Sequence, residues 1–212
     1  MYLSMNARPA SDAREKLLDA GFKVIREKGY AAMRVEDICA EAGLTKGGFF
    51  HHFKGKEDFA VAAAHHWAEV TSGFFAVQPY HDHADPLDRV LGYIDFRKAI
   101  LRGSVPEFTC LVGTMVQEAY GTNPAIREAC DASISGHAAV VAKDIAAAKE
   151  LYAPHADWNP ESLGLHTQAV LQGAFILAKA KGGPEVAIQC VDHLRRYIEL
   201  LFTRDSTGRP PR

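Results

Sequence analysis

Residues 35–56, VEDICAEAGLTKGGFFHHFKGK, constrain the fold of this chain more than any other segment. The first part has apolar residues at i, i+3 and i+7, on one helical face: Val35, Ile38 and Ala42. Gly43 follows the last of these and suits the left-handed conformation that ends a helix. Thr45 is then a good N-cap for a second helix. The pattern therefore predicts two short helices joined by a tight turn.

The second helix of this segment carries two adjacent glycines, Gly47 and Gly48. Each glycine costs about 1 kcal/mol of helix stability relative to alanine. We interpret that cost as a sign that another molecule approaches the backbone closely, and a sugar-phosphate strand is one candidate. The alternative is a surface turn that tolerates glycine. The phenylalanines of this helix are expected to anchor it to neighbouring helices: Phe49, Phe50 and Phe53.

Two short helices with this turn are typical of a helix-turn-helix, which places its second helix in the DNA major groove. Three lysines and no acidic residue lie between Leu44 and Lys56, a distribution that suits phosphate neutralisation. We therefore predict DNA contacts from the following residues: Arg34, Thr45, Lys46, Gly47, Gly48, Phe50, His51, His52, Lys54 and Lys56.

Residues 11–60 resemble the helix-turn-helix region of the tetracycline-repressor (TetR) family of transcriptional regulators. The motifs that carry the resemblance are Lys28-Gly29-Tyr30, Val35-Glu36-Asp37-Ile38, Ala42-Gly43-Leu44-Thr45-Lys46-Gly47, Phe49-Phe50-His51-His52-Phe53 and Lys56-Glu57. Arg34 departs from the family, which often has a Thr or Ser cap there. Phe50 stands where the family often has Tyr, so a hydroxyl that could bond a phosphate is absent. The resemblance implies operator DNA as a partner and a ligand cavity enclosed by the helices that follow.

Length and composition limit the other functions that this chain can have. With 212 residues, the chain can bury a sizeable core in one or two domains. The net charge is −2, so the protein as a whole is not a basic nucleic-acid binder. The four cysteines are widely spaced, no signal peptide opens the chain and no apolar run would span a membrane. We therefore expect a cytoplasmic protein with reduced thiols.

The rest of the chain is predicted to be helical, because no region alternates at period two. Four pairs of residues place a proline at the first helical position: Asp85-Pro86, Asn123-Pro124, Asn159-Pro160 and Gly183-Pro184. The predicted helices beyond the helix-turn-helix cover about residues 56–77, 86–101, 106–119, 124–151, 160–181 and 184–202. With a first helix over about 11–28, the chain is all-α with about nine helices.

The predicted organisation has three parts. Residues 1–56 form the helix-turn-helix domain, residues 57–204 form a helical ligand-binding and dimerisation domain, and residues 205–212 form a disordered tail. The last two helices are rich in apolar and small residues and are joined by a Gly-Gly-Pro link. They are predicted to form an antiparallel pair and, with a second copy, a four-helix homodimer interface. An ordinary intramolecular core is the alternative for these residues.

A regulator of this kind needs an input, which we expect to be a small-molecule effector, perhaps apolar or aromatic. The candidate ligand-binding residues are the aromatic and sulfur-bearing positions of the body: Trp67, Phe74, Phe96, Phe108, Cys110, Met115 and His137. The alternative for each of them is a solidly packed core residue. Cys110 is also a candidate reactive thiol that would respond to electrophiles or oxidants.

Other classes of function are less well supported by the sequence. The segment Tyr80-His81-Asp82-His83 has the composition of a metal site but lacks a second half, so no metal and no cofactor are predicted. Walker, G-x-S-x-G and H-E-x-x-H motifs are absent, so we predict no enzyme activity. A helical ligand-binding protein that has lost DNA binding remains an alternative; it would lack exposed positive charge over residues 46–56.

Overall fold

The structure, a computed structural model, describes residues 13–202, and those residues form an all-α fold. The helices are α1 (Ala13–Lys28), α2 (Val35–Ala42), α3 (Lys46–His52), α4 (Lys56–Ala76), α5 (Pro86–Ala99), α6 (Val105–Phe108), α7 (Leu111–Ala119), α8 (Pro124–Tyr152), α9 (Pro160–Lys181) and α10 (Glu185–Leu201). The predicted fold class is confirmed. The start of the first predicted helix and the predicted tail lie outside the described residues.

Three of the long helices, α5, α8 and α9, begin with a proline that follows a capping residue, as predicted. The side chain of Asp85 accepts a hydrogen bond from the Leu87 amide at the start of α5. Asn159 does the same for α9, where its Oδ1 accepts the Ser162 N–H at 2.8 Å. α10 begins one residue later than predicted, at Glu185, with Pro184 as its N-cap.

The single helix predicted over residues 106–119 is wrong, because the structure divides it into α6 and α7. Cys110 has extended backbone angles, and its Sγ accepts the Gly113 N–H at 3.4 Å. The cysteine therefore acts as the N-cap of α7 and prevents α6 from continuing. A short 3₁₀ helix, Pro79–Asp82, also occupies the connection between α4 and α5.

The chain divides into two compact units. The first contains the described residues up to Gly73 together with Thr109–Ile134. Its core brings α1, α2, α3 and the start of α4 together with α7 and the start of α8. The largest fully buried side chains of this core include Leu17, Ile25, Ile38, Phe49, Phe59, Leu111, Met115 and Ile126. The predicted domain boundary between residues 56 and 57 stays a prediction.

The second unit contains Phe74–Phe108 and the described residues from Ser135 onward. In this unit α10 packs against both α9 and α5. Ion pairs join α5 to the helices around it: Arg89 to Asp144, Lys98 to Asp192, and Asp95 to Arg195. A Cβ atom at Gly164 of α9 would lie 2.8 Å from the Ala138 carbonyl oxygen, so α8 and α9 approach each other closely there.

None of the described helices is both long and apolar enough to cross a membrane.

Candidate nucleic-acid interface and effector-binding residues

The turn between α2 and α3 has the predicted stop and start signals. Gly43 adopts the left-handed conformation with φ of 66°, and its N–H donates to the Ala40 carbonyl. The Leu44 N–H donates to the Cys39 carbonyl at 2.9 Å, which closes the end of α2. Thr45 then caps α3, because its Oγ1 accepts the Gly48 N–H at 3.2 Å. These bonds fix the angle at which α3 leaves α2.

Two phenylalanines hold α3 against the first unit. The Phe49 and Phe53 rings are almost fully buried and pack on Phe59 of α4, with ring centroids 5.5 and 5.1 Å away. Phe50 was expected to join this anchor, but that expectation is wrong, because its side chain is 56% exposed. Positions 49 and 53 lie one helical turn apart, whereas position 50 is rotated by about 100° and faces outward.

The outward face of α3 carries most of the predicted DNA contacts. Exposed positions include Thr45, Lys46, Gly47, Phe50, His51 and Lys54, whereas Gly48 and His52 are half-buried. A Cβ atom at Gly47 or Gly48 would meet only the Thr45 hydroxyl, at 3.7 or 3.6 Å, which is an ordinary contact. Packing within the chain therefore does not require glycine at either position.

Acidic side chains modify the positive charge of this face in a way that the local sequence did not reveal. The ammonium group of Lys46 forms an ion pair with Glu36 of α2. The hydrogen bond from Lys46 holds the pKa of the Glu36 carboxyl below its ordinary value. A phosphate contact by Lys46 would therefore have to compete with Glu36, a residue that precedes the segment 44–56.

Arg34 lies at the N-cap of α2 with an exposed side chain. Its backbone N–H donates to Asp37 at 3.0 Å, which supplies one half of a capping box. Asp37 also binds Lys28 of α1 at 2.9 Å. The hydrogen bond from Lys28, followed by that from the Arg34 backbone, lowers the pKa of Asp37 to about 2. The loss of the side-chain cap expected at Arg34 is thus offset by Asp37.

The ammonium group of Lys56 lies at the turn between α1 and α2. Its Nζ donates to the Ala31 carbonyl at 2.9 Å and lies 4.7 Å from the centre of the Tyr30 ring. Burial lowers the pKa of Lys56, and the nearby Glu118 partly opposes that effect. Glu118, from α7, accepts the Ala31 N–H at 2.6 Å. The predicted phosphate contact of Lys56 is untested, and these contacts also give Lys56 a structural role.

The seven candidate ligand-binding residues do not form one cluster. Met115 is fully buried in the first unit, and Trp67 and Cys110 pack against the same core. The Trp67 ring lies edge-on to Phe22 at 5.1 Å and under the Arg26 guanidinium at 5.2 Å. Core packing accounts for the position of each of these three residues.

The other four candidates, Phe74, Phe96, Phe108 and His137, belong to the second unit. The rings of Phe74 and Phe96 lie 5.5 Å apart, and His137 lies 4.7 Å from the ring of Phe75. Polar neighbours of this cluster were missed in the sequence: Tyr93, Arg97 and Gln168. Two sequence signals could have revealed them. Tyr93 and Arg97 are polar groups one turn apart on α5, and Gln168 is an amide in a stretch of small residues on α9.

A hydrogen-bond chain links three of these polar groups. The Gln168 side-chain N–H donates to the Tyr93 hydroxyl at 3.1 Å, and that hydroxyl lies 3.0 Å from His137 Nε2. Burial, with a smaller contribution from Arg97, lowers the pKa of His137 to about 3. The imidazole is therefore neutral at physiological pH.

The segment considered for metal binding has other contacts. His81 Nε2 lies 3.1 Å from the Phe75 carbonyl, and the Tyr80 hydroxyl donates to the same carbonyl. Over residues 13–202, no three potential ligand side chains come together in a geometry suited to a metal ion.

Comparison with known proteins agrees with this geometry. Residues 17–63 match the family described as bacterial regulatory proteins, tetR family, and residues 86–194 match the tetracyclin repressor-like C-terminal domain. The Escherichia coli K12 transcriptional repressor NemR is 24% identical over 92% of this chain and 98% of its own length. The transcriptional regulator AcuR of Cereibacter sphaeroides is 41% identical over 56 residues, a match that spans 26% of either chain.

Solved structures of similar fold cover nearly the whole chain. A TetR transcriptional regulator from Chloroflexus aurantiacus is 27% identical, with a TM-score of 0.77 over 90% of this chain and 96% of its own. The reduced form of E. coli NemR gives a TM-score of 0.74 at 22% identity, over 88% and 96% of the two chains. The regulator CifR, solved with 26 bp operator DNA, gives 0.71 at 18% identity, over 90% and 98%.

The matched sequence families span the helix-turn-helix and most of the second unit. The chain therefore belongs to the TetR family of bacterial regulatory proteins and is a DNA-binding transcriptional regulator.

Proposed function

We propose that this regulator is a repressor that binds operator DNA as a homodimer and leaves it when a small-molecule effector binds the body. The observation that carries the DNA site is the outward face of α3. Two exposed lysines, Lys46 and Lys54, lie at the two ends of this helix. The face also has two glycines that packing within the chain does not require. Such a face suits close approach to a phosphate strand.

Lys46 and Glu36 provide a matched pair of substitutions for this site. Lys46→Gln removes a cation from the proposed interface, so we expect weaker operator binding. With one lysine lost from each protomer, the slope of log K against log salt should fall by about 2. Glu36→Gln removes the competing carboxylate and should strengthen binding at low salt. The measurement is fluorescence anisotropy with a duplex from upstream of the protein's own gene, over a salt series.

The control for these substitutions is Lys143→Gln, an equivalent charge change at an exposed position of α8. It should leave both the affinity and the salt slope at the wild-type values. An unchanged slope in Lys46→Gln, with the fold intact by circular dichroism, would exclude Lys46 from the interface.

The proposed homodimer uses α9 and α10. Some apolar residues of these helices, such as Leu163, Val191 and Ile198, are buried within the chain. Others remain exposed in the single chain and would be covered by a second copy: Leu165, Ile176, Leu177, Tyr197 and Leu200. Leu165 and Ile176 lie three turns apart on the same face of α9. A two-fold pair of α3 helices would read half-sites about 34–36 Å apart.

The proposed release is a shift between two states of the dimer. An effector matters only if it binds the DNA-free state better, and a tenfold preference corresponds to about 1.4 kcal/mol. We propose that the effector acts through the second unit and α4, which changes the separation of the two α3 helices. The ligand-binding role of Phe74, Phe96, Phe108 and His137 is part of this proposal.

A second candidate input is covalent modification of Cys110. The observation that favours it is the position of Cys110 as the N-cap of α7. The residue is half-buried, and its Sγ accepts a hydrogen bond from the Gly113 N–H. The thiol could add to an electron-poor alkene: a sulfur–carbon bond forms and the thiol proton goes to the adjacent carbon. Loss of the cap would then disturb the start of α7. By contrast, burial raises the pKa of Cys130 to about 12, which makes that thiol unreactive.

Cys110→Ser tests this input, because serine keeps a cap but cannot add to the alkene at a useful rate. If Cys110 is the sensor, the variant binds the operator but no longer releases it on treatment with N-ethylmaleimide. Cys190→Ser, a half-buried cysteine of the other unit, should respond like the wild type. A full response by Cys110→Ser excludes this input and leaves non-covalent effector binding.

A further inference from the structure

Among residues 13–202, Arg97 has no acidic partner. Three other charged side chains of α5 form ion pairs with neighbouring helices: Arg89, Asp95 and Lys98. Arg97 is half-buried, but no carboxylate bonds to it among the described residues. A half-buried guanidinium without a carboxylate beside it keeps N–H groups that an incoming anion can bind.

Two aromatic rings lie close to the Arg97 guanidinium. Its Cζ lies 5.1 Å from the centre of the Phe75 ring and 5.9 Å from the centre of the Phe175 ring. Phe175 also lies 6.5 Å from Phe108. The rings hold the guanidinium by cation–π contact but offer no acceptor in the plane of its N–H groups. The rings of Phe75, Phe108 and Phe175 thus form an apolar cluster with the Arg97 guanidinium at its edge.

The hydrogen-bond chain that ends at His137 provides a second donor near Arg97. Gln168 donates to Tyr93, so the Tyr93 hydroxyl hydrogen is free to reach His137 Nε2. A neutral imidazole that accepts at Nε2 carries its hydrogen on Nδ1. Within the described part of the chain, this Nδ1–H has no hydrogen-bond acceptor. His137 and Arg97 both contact the Phe75 ring, so the two donors border the same side chain.

We propose that Arg97 and His137 bind the carboxylate of a monoanionic effector whose flat apolar body packs on the half-buried ring of Phe108, beside the buried rings of Phe75 and Phe175. A carboxylate has the acceptor geometry that a guanidinium fork matches, and its single charge balances the single unpaired cation. A phosphate monoester carries nearly two charges and would need a second cation, which these residues lack. This inference rests on the proposed function, since it names the effector class for the second unit.

Paired acids and amides test the charge requirement directly. The probes are benzoate and phenylacetate, each compared with its neutral amide, and binding to the full-length chain is measured by thermal shift and calorimetry. A ligand that binds only the folded state raises the melting temperature. The proposal expects stabilisation by the acids and none by benzamide or phenylacetamide.

Variants identify the residue responsible. Arg97→Gln should weaken binding of the acids by at least about tenfold, as expected for the loss of a charge-assisted bond. Arg97→Lys keeps the charge and should bind with intermediate affinity, which separates loss of the anion site from misfolding. Arg102→Gln is the matched control, because it removes the same charge from an exposed residue just beyond α5, and it should bind like the wild type.

Equal binding of acids and amides, no binding of either acid by the wild type, or wild-type affinity in Arg97→Gln would each overturn the proposal. Operator binding is measured on the same samples, so the two proposals can fail separately. Arg97-dependent binding of acids without DNA binding would leave the anion site standing and remove the proposed repressor. DNA binding without acid binding would leave the proposed repressor standing and remove the anion site.

Discussion

At Gly47, the stability of the fold and the binding of DNA are expected to favour different residues. The position is exposed on α3, and an added Cβ would make only an ordinary contact with Thr45. Gly47→Ala should therefore stabilise the folded chain by about 0.5–1 kcal/mol, because alanine loses less backbone entropy in a helix. The same methyl group should weaken operator binding if, as proposed, the phosphate strand approaches α3 at this position. Chemical denaturation and anisotropy measure the two effects.

Gly73→Ala supplies the control for this prediction. Gly73 is exposed in α4, and an added Cβ there would meet nothing within 4 Å. It should gain similar stability and keep the operator affinity of the wild type. If Gly47→Ala is more stable and binds DNA equally well, the glycines have no role in close approach.

His137 should make the stability of the protein sensitive to acid. Its folded-state pKa is lowered to about 3, below the ordinary value of 6.5, so the unfolded chain binds this proton more readily. The free energy of unfolding should therefore fall as the pH decreases from about 6.5 towards 3, by at most about 1.4 kcal/mol per pH unit from this group. His137→Gln should reduce that dependence, as measured by urea denaturation at a series of pH values.

An exposed histidine gives the comparison for His137. His155 is exposed in the connection between α8 and α9, and His155→Gln should retain the wild-type pH dependence. An identical pH slope in wild type and His137→Gln would show that the imidazole is not held neutral in the folded protein.

At the scale of single residues, the sequence predicted the contacts between residues that are close together in the chain. Gly43, Thr45 and the Phe49 anchor follow from spacing and from the conformational preferences of single residues. The ion pair of Lys46 and the contacts of Lys56 could not be predicted, because their partners lie on α2 and in the turn between α1 and α2. The surroundings of Arg97 could not be predicted for the same reason, since the rings of Phe75 and Phe175 that contact it come from other segments of the chain.

At the scale of whole helices, the contact between α8 and α9 is set by Gly164. Gly164→Ala would place a methyl group against the Ala138 carbonyl oxygen and the Ala142 side chain. Because a backbone carbonyl cannot move aside easily, we expect a loss of about 1–3 kcal/mol in the free energy of unfolding. Calorimetric unfolding measures it. Gly173→Ala, on the same helix with open space at the Cβ position, should not be destabilised, and equal losses would contradict the packing argument.

The starts of long helices could be read from the sequence, whereas the break between α6 and α7 could not. A proline after Asp or Asn has fixed φ and a ready cap, so the starts at Pro86, Pro124 and Pro160 were correct. Cys110 is not a residue expected to cap a helix, and the apolar periodicity continues through it. The capping role of its Sγ becomes visible only with the three-dimensional contacts.

For the whole molecule, the proposed homodimer makes DNA binding depend on residues of α9 that belong to the second unit. A double substitution, Leu165→Glu with Ile176→Glu, should place charges in the interface and give monomers in size-exclusion chromatography with light scattering. Operator affinity should fall with the loss of the paired half-site contact. Val77→Glu, at an exposed apolar residue after α4, should remain dimeric. A double variant that stays dimeric would place the interface elsewhere.

The overall architecture was predictable because each helix carries its own periodicity and capping signals. The grouping of the candidate effector residues could not be predicted. Three of them, Trp67, Cys110 and Met115, pack into the first unit with the helix-turn-helix, whereas the other four belong to the second unit. Periodicity shows which face of a helix is apolar but not which core it joins.

The contribution of α7 and the start of α8 to the first unit limits how this regulator can be recombined with others. Leu111, Met115 and Ile126 share a core with Phe49, and Glu118 holds the turn after α1. A chimeric repressor made by fusing residues 1–56 to a foreign sensor would leave that apolar surface uncovered. A functional transplant needs residues 109–134 as well, or a recipient whose own helices replace them. The core that supports the helix-turn-helix is therefore encoded by two separate stretches of the gene.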